Sequence, residues 1–101
     1  MLTPAAFTDL REFIKRQVTY AEYRIGTTYY RAEISETEIT PTGIVRVKIP
    51  ISHPTPVTIT QVRLYSRLNQ IWASKDINIT TNTLQTHYLQ WFDFNIQEVE
   101  T

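Results

Sequence analysis

The spacing of apolar residues changes at Thr19, and this change constrains the fold more than any other feature of the chain. Before it, apolar side chains recur every three or four residues, which predicts an amphipathic helix over about residues 3–18. The side chains of this stripe are Phe7, Leu10, Phe13, Ile14 and Val18. Thr3 is a suitable cap for the helix, and Pro4 suits its first turn. After Thr19 the apolar residues alternate, which predicts strands up to about residue 99.

Turn signals divide this alternating part. VTYAEYRI reads as a strand, and a turn beginning at Gly26 separates it from a second strand, YYRAEISETEI. The segment TPTG, residues 40–43, predicts a turn because Pro presets φ and Gly accepts unusual backbone angles. IVRVKIPIS then predicts a half-buried strand, in which Pro50 belongs at an outer edge or a bulge because it lacks an N–H donor.

The second half of the chain predicts three more strands. Val57–Leu68 and Ile71–Ile79 flank Asn69, a residue that tolerates the left-handed conformation of a tight turn. Trp72 follows that turn as a core anchor or an interface aromatic, and the core interpretation is favoured. The last strand runs over roughly Thr86–Val99, with Phe92 and Trp91 on opposite faces.

This order of elements predicts one domain, residues 1–101, of the α+β class and mainly β. The N-terminal helix is expected to pack on an antiparallel sheet or small β-sandwich of about six strands. Strands and helices do not alternate along the chain, which argues against a parallel nucleotide-binding sheet.

Charge and composition exclude several classes of function. The chain has 10 basic and 10 acidic residues, and a sequence-independent nucleic-acid binder needs excess positive charge. It has no cysteine, hence no disulfide framework. No apolar run reaches the length of a membrane span, and acidic residues interrupt the region where a signal peptide would be apolar. We therefore expect no nucleic-acid partner, no membrane association and no secretion through a signal peptide.

No catalytic or metal-binding set emerges from the residues. His53 and His87 have no neighbouring ligand pattern and are expected on the surface. Asp93 lies between aromatic and polar neighbours on the last strand, and is expected to be hydrogen-bonded or to lie at a subunit contact. The chain is predicted not to be an enzyme, with no catalytic residues, no cofactor and no metal.

Aromatic residues are the remaining indication of function. They are too numerous to be wholly buried in so small a core: Tyr20, Tyr23, Tyr29, Tyr30, Tyr65, Trp72, Tyr88 and Trp91. Exposed aromatics of this kind serve sugar binding or subunit contacts. A clustered, flat platform with polar neighbours would favour sugar binding. Aromatics dispersed around an edge or across an apolar patch would favour assembly.

The order of several motifs resembles the N-terminal, baseplate-attaching domains of phage and prophage tail-fibre or tail-collar proteins. LTPAAFTDLREFI is followed by YAEYRIGTTYYRAEI, then GIVRVKIPIS and ITQVRLYSRLNQIWASKD. The residues that match the pattern are Leu2, Thr3, Gly26, Val47, Ile49, Ile59, Leu64, Tyr65, Ile71 and Ala73. Gln61 and Arg63 depart from it, SRLNQ replaces the usual Asp-Gly turn, and residues 1–101 include no fibre shaft.

The resemblance implies a free-standing adaptor or small tail component, made in the bacterial cytoplasm and then incorporated into a virion or tail-like particle. Its partners would be copies of itself or other tail proteins, in a homo-oligomer or a hetero-assembly. The candidate interface residues are Tyr29, Arg31, Trp72 and Trp91. The alternative is a small carbohydrate-binding module that uses exposed aromatics.

Overall fold

One helix and seven strands form the part of the chain that the structure describes, residues 1–84 and 86–97 of a computed structural model. The elements are α1 Pro4–Gln17, β1 Val18–Ile25, β2 Thr28–Glu33, β3 Glu36–Ile39, β4 Val45–Ser52, β5 Thr58–Ser66, β6 Ile71–Thr80 and β7 His87–Phe94.

The strands form two antiparallel sheets. The four-stranded sheet has the order β2-β1-β5-β6, and the three-stranded sheet has the order β3-β4-β7. The predicted fold class, a helix followed by a mainly β antiparallel domain, is confirmed.

The predicted second strand, YYRAEISETEI, is two strands that belong to different sheets. β2 pairs with β1, whereas β3 pairs with β4. The change occurs at Ile34 and Ser35, and the Ser35 N–H donates to the Lys48 carbonyl at 2.9 Å. Because the alternation of apolar residues continues through Ile34, the sequence pattern does not mark the change of sheet.

The core is formed by inward-facing side chains of both sheets. Fully buried members are Val45, Val47, Ile49, Ile51, Ile59, Val62 and Leu64. They alternate strictly along β4, whereas on β5 a register shift between Ile59 and Gln61 interrupts the alternation. Both strands are flanked by other strands, as is β1. Burying each such side chain contributes about 1.5–3 kcal/mol.

The helix is peripheral to this core. Thr3 caps it by accepting a hydrogen bond from the Ala6 N–H at 3.2 Å, and Pro4 occupies its first turn. The helix packs beside β1, β3 and β4, but none of its residues is buried. Val18, predicted at the end of the helical stripe, is instead the buried first residue of β1.

The predicted turns are present, and a residue with positive φ lies in each of them. Asn69 has φ 58°, and it is the only non-glycine residue with positive φ in the described ranges. Gly26 and Gly43 have φ 61° and 84°. β3 pairs with β4 only as far as Lys48, so Pro50 lies beyond it, where that side of β4 has no strand neighbour. The predicted edge position of Pro50 is therefore confirmed.

The last strand is shorter than predicted. β7 pairs with β4 from His87 to Phe94, and residues 95–97 have no strand structure. The rest of the predicted strand, including Val99, lies outside the described residues. Within β7, Gln90 and Phe92 are buried, as the alternation predicts.

Candidate interaction surface

The four candidate interface residues do not form one site. Tyr29 and Arg31 lie two residues apart on β2, hence on one face of the four-stranded sheet. Trp72 lies on β6, the opposite edge of that sheet. Trp91 lies on β7 in the other sheet. The structure therefore divides the candidates among a sheet face and two strand edges.

A stack of three side chains crosses the outer face of the four-stranded sheet. Tyr20 on β1 stacks on Tyr65 of β5, and the Arg31 guanidinium lies over the Tyr20 ring at 4.2 Å from its centroid. Because Arg31 lies on β2 and Tyr65 on β5, the two cover opposite faces of the Tyr20 ring. The Tyr65 hydroxyl donates to Glu22 at 2.6 Å. This hydrogen bond is the main reason that the pKa of Tyr65 is raised.

A second cluster on the same face uses Tyr29. The Arg63 guanidinium lies 3.7 Å from the centroid of its ring, and Arg63 Nη2 donates to its hydroxyl oxygen at 2.6 Å. That hydroxyl donates to Gln61 Oε1 at 2.7 Å. Each cluster is held by contacts among its own side chains. Their rings therefore stand between neighbouring side chains rather than lying as a flat open platform.

Trp91 is surrounded by charged side chains on the outer face of the three-stranded sheet. The Arg46 guanidinium lies 4.1 Å from the centroid of a Trp91 ring, and Lys48 Nζ lies 5.5 Å from it. Arg46 also donates to both carboxylate oxygens of Asp93, at 2.9 and 3.1 Å. Asp93 is thus hydrogen-bonded, one of its two predicted roles, and the hydrogen bonds from Arg46 lower its pKa.

The open side of the sandwich lies between β6 and β7. A cleft of about 480 Å³ is lined by three consecutive residues of each strand: Ala73, Ser74 and Lys75, and Trp91, Phe92 and Asp93. Side chains of consecutive strand residues point to opposite faces, so the shared feature of each trio is the edge of its strand. Neither edge pairs with another strand of the described chain.

Trp72 is not a core residue, contrary to the favoured prediction. It is 38% exposed, and its ring centroid lies 6.4 Å from that of Phe13 on the helix. Leu10 and Phe13 of the helix are themselves 40% and 47% exposed. The helix and the start of β6 thus share an exposed apolar surface.

The sequence analysis did not single out two buried tyrosine environments. The Tyr23 hydroxyl lies 3.0 Å from His53 Nδ1, and Tyr30 stacks on Tyr23. Burial raises the pKa of Tyr88 to about 12, and its hydroxyl has no hydrogen-bond partner among the described residues. The inward positions of Tyr23 and Tyr88 in their strands are the signal that would have indicated burial.

Neither a metal-binding cluster nor a membrane-spanning helix is present among the described residues. Within residues 1–84 and 86–97, no group of three or more His, Asp and Glu side chains is arranged to hold a metal ion. No helix in those ranges is long and apolar enough to cross a membrane.

The fold and these surfaces define a two-sheet antiparallel β-sandwich with a peripheral N-terminal helix and aromatic side chains on its faces and edges. Comparison with protein-family models, curated proteins and solved structures finds no match to the chain. The likeness to phage tail proteins therefore stays a prediction.

Proposed function

We propose that the protein is a non-enzymatic structural or adaptor component of a phage or prophage tail, at the baseplate or the fibre attachment, that acts through protein–protein assembly. The observation that carries this proposal is the free strand edge of β7, together with the partly exposed aromatics on β6 and β7. Trp72 is 38% exposed and Trp91 is 41% exposed. Unpaired edges and large aromatic side chains are features of subunit contacts.

The balance of charge supports the same proposal. Ten basic and ten acidic residues leave no net charge to repel a second copy or a neighbouring subunit. Charged side chains on the sheet faces are paired locally, for example Lys48 with Glu36 and Glu38 at 3.3 Å each. The surface that stays apolar is at the edges and along the helix.

Light scattering tests the assembly. We expect a defined oligomer when the purified protein is measured from micromolar to millimolar concentration. Trp72→Ala and Trp91→Ala are expected to lower the oligomer fraction, while Leu84→Ala, at a 98% exposed position outside the strands, is the matched control. A monomer throughout, with no partner captured from purified tail particles, would contradict the proposal. Mass spectrometry of such particles tests the tail context separately.

The alternative is a carbohydrate-binding module on the outer face of the four-stranded sheet. In its favour, Tyr20, Tyr29 and Tyr65 are clustered there with polar neighbours. Against it, Arg31 and Tyr65 cover both faces of the Tyr20 ring, and Arg63 lies over Tyr29. Sugar binding on a glycan array distinguishes the two functions. Binding that is lost in Tyr20→Ala would support the alternative over assembly.

A further inference from the structure

The strand edges of the sandwich differ in how they are protected from pairing with another chain. β3 has only four residues, and Glu36 and Glu38 lie on it. β6 has register shifts in its pairing with β5, and Lys75 lies opposite the buried Val62, in the inward-facing row. Short length, bulges and inward-pointing charges all oppose edge-to-edge pairing. β2 carries the exposed Arg31–Glu33 ion pair at its end.

β7 is the least protected of these edges, although Asp93 near its end forms an ion pair with Arg46. It is eight residues long, HYLQWFDF, contains no proline or lysine, and pairs with β4 without a register shift. Its outward row includes Leu89 and Trp91, which are 48% and 41% exposed. A long, regular, largely apolar edge of this kind is a template for an added strand.

We propose that β7 pairs antiparallel with β7 of a second copy of this chain, about a twofold axis that passes through Gln90. The two three-stranded sheets then form one continuous six-stranded sheet. This inference deepens the proposed function, because it rests on assembly and names the partner and the contact. A twofold contact of this type uses the same surface on both copies and is closed, so it gives a dimer rather than a filament.

The alternation of side chains restricts the possible registers. Residues directly opposite each other in an antiparallel sheet point to the same face. Gln90 and Phe92 point inward, whereas Leu89 and Trp91 point outward, so inward residues must oppose inward residues. The twofold axis must therefore pass through a residue and not between two residues, because the latter would place core side chains against solvent.

The chemistry of the outward row favours Gln90 over Trp91 as the centre. In this register Leu89 opposes the partner's Trp91, and His87 opposes the partner's Asp93. Leu89 and Trp91 form an apolar pair, and in the other pair the His87 imidazole N–H can donate to the Asp93 carboxylate. The twofold axis repeats each pair. If Trp91 were the centre, Leu89 would oppose the partner's Asp93, an apolar side chain against a charged one. Cross-strand pairs of matched chemistry stabilise a sheet, and mismatched ones do not.

No strand of the described chain lies beside the free edge of β7, so its backbone groups are not paired with a strand on that side. The cleft of about 480 Å³ separates β7 from β6. Lys75, at the far side of this cleft, contributes to lowering the pKa of Asp93, so the two charges lie near each other. β6 itself stays protected by its register shifts and by Lys75.

Single-cysteine variants test the register directly, because the natural chain has no cysteine. In Gln90→Cys the two introduced side chains would be directly opposite, at the Cα separation of about 4.5–5.5 Å that a disulfide accepts. We expect oxidation to give a disulfide-linked dimer with twice the chain mass of 11.9 kDa. Glu33→Cys, on the β2 edge, is the control and is expected to stay monomeric on a denaturing gel.

A mixture of two exposed variants covers the case in which Gln90→Cys fails to fold, since Gln90 is buried. Leu89→Cys mixed with Trp91→Cys is expected to cross-link at least fivefold more than either variant alone, because residue 89 opposes residue 91 of the partner. Equal cross-linking of the mixture and the single variants would overturn the proposed register.

Leu89→Lys tests the dimer without cross-linking. A lysine on the free edge opposes edge-to-edge pairing and is expected to abolish the dimer. Leu84→Lys, the same change at a 98% exposed position outside the strands, is expected to leave the mass measured by light scattering unchanged. A dimer that persists in Leu89→Lys overturns the inference. An oligomer of another size that lacks the residue 90 cross-link overturns this contact but leaves the proposed assembly function standing. A wild-type monomer that also binds no tail particle overturns both.

Discussion

Tyr20 and Tyr65 stack across the β1–β5 ladder, with ring centroids 4.8 Å apart and ring planes 6° from parallel. They are direct cross-strand partners although 45 residues separate them in the chain, from position 20 to position 65. Stacked pairs of this kind add about 0.5–1.5 kcal/mol beyond the area they bury. The pair therefore links two distant parts of the sequence on the solvent-facing side of the sheet.

Removing the Tyr65 hydroxyl should destabilise the fold. Tyr65→Phe keeps the stacked ring but loses the 2.6 Å hydrogen bond to the Glu22 carboxylate. We expect the free energy of unfolding to fall by about 1 kcal/mol in urea titrations. Tyr20→Phe is the matched control, because its hydroxyl donates only a long bond of 3.4 Å to Asn69. An equal loss in both variants would contradict the assigned role of Glu22.

The same substitution at Tyr88 should have the opposite sign. Its hydroxyl is buried without a partner among the described residues, so Tyr88→Phe removes an unsatisfied group and should raise the free energy of unfolding by about 1 kcal/mol. Burial raises the pKa of Tyr88 from 10.0 to about 12, so the unfolded chain loses this proton first. Ionisation of Tyr88 therefore leaves the free energy of unfolding unchanged below pH 10 and lowers it as pH rises toward 12.

Denaturation at pH 8 and at pH 11 measures the Tyr88 effect. The stability advantage of Tyr88→Phe over the wild type should increase at pH 11. Only the wild type has the Tyr88 hydroxyl, and its ionisation in the unfolded chain lowers the free energy of unfolding. A variant that is less stable than the wild type at both pH values would show that the hydroxyl is satisfied.

Two glycines with positive φ should differ in their tolerance of alanine. At Gly26 an added methyl group meets nothing within 4 Å, so Gly26→Ala has only the backbone strain, about 1 kcal/mol. At Gly43 it would lie 2.8 Å from Arg11 Nη2 and displace that side chain from Phe7. We expect about 2 kcal/mol for Gly43→Ala, the sum of backbone strain and lost packing.

A double-mutant cycle separates these two contributions. In an Arg11→Ala background the cost of Gly43→Ala should approach that of Gly26→Ala, as measured by urea unfolding. If Arg11→Ala leaves the cost unchanged, the guanidinium does not restrict position 43.

The Arg46–Asp93 pair should give a small stabilisation that depends on pH. Hydrogen bonds from Arg46 hold the pKa of Asp93 below its usual 3.8, so the folded state favours the charged form. The stabilisation is present above that usual value and is lost as pH falls through the lower folded-state pKa. Because the Asp93 side chain is 41% exposed, solvent screens the pair and the effect is small.

Asp93→Asn measures this contribution. The variant should be slightly less stable than the wild type at pH 7, and the two should converge at the acid end of the titration. A difference that is constant with pH would assign the effect to packing on Trp91.

Local periodicity predicted the helix, the strands around Asn69 and the inward row of β4, because each depends on neighbouring residues alone. The change of sheet at Ile34 and Ser35 could not be predicted, since the alternation is the same whichever sheet a strand joins. Trp72 illustrates a related limit. Ala73 opposes the buried Leu64, so Trp72 is outside the inward row, and the sequence does not show which residue of β6 pairs with Leu64.

The surface clusters required knowledge of strand pairing. Tyr20, Tyr29 and Tyr65 belong to the eight aromatics predicted to be too numerous for the core, but their partners come from strands far along the chain. Arg63 reaches Tyr29 across the intervening β1, a contact that no spacing rule in the sequence indicates. The sequence therefore predicted an excess of surface aromatics, but neither which of them are exposed nor what they contact.

The helix continues into β1 without a linker, from Gln17 to Val18, and the Arg67 N–H donates to the Gln17 carbonyl at 2.9 Å. β1 in turn is hydrogen-bonded along both sides, to β2 and to β5. A mechanical load applied to the helix is thus transmitted straight into a strand that resists it in shear through two ladders of hydrogen bonds. A partner that binds the helix would therefore be anchored to the sandwich through its four-stranded sheet.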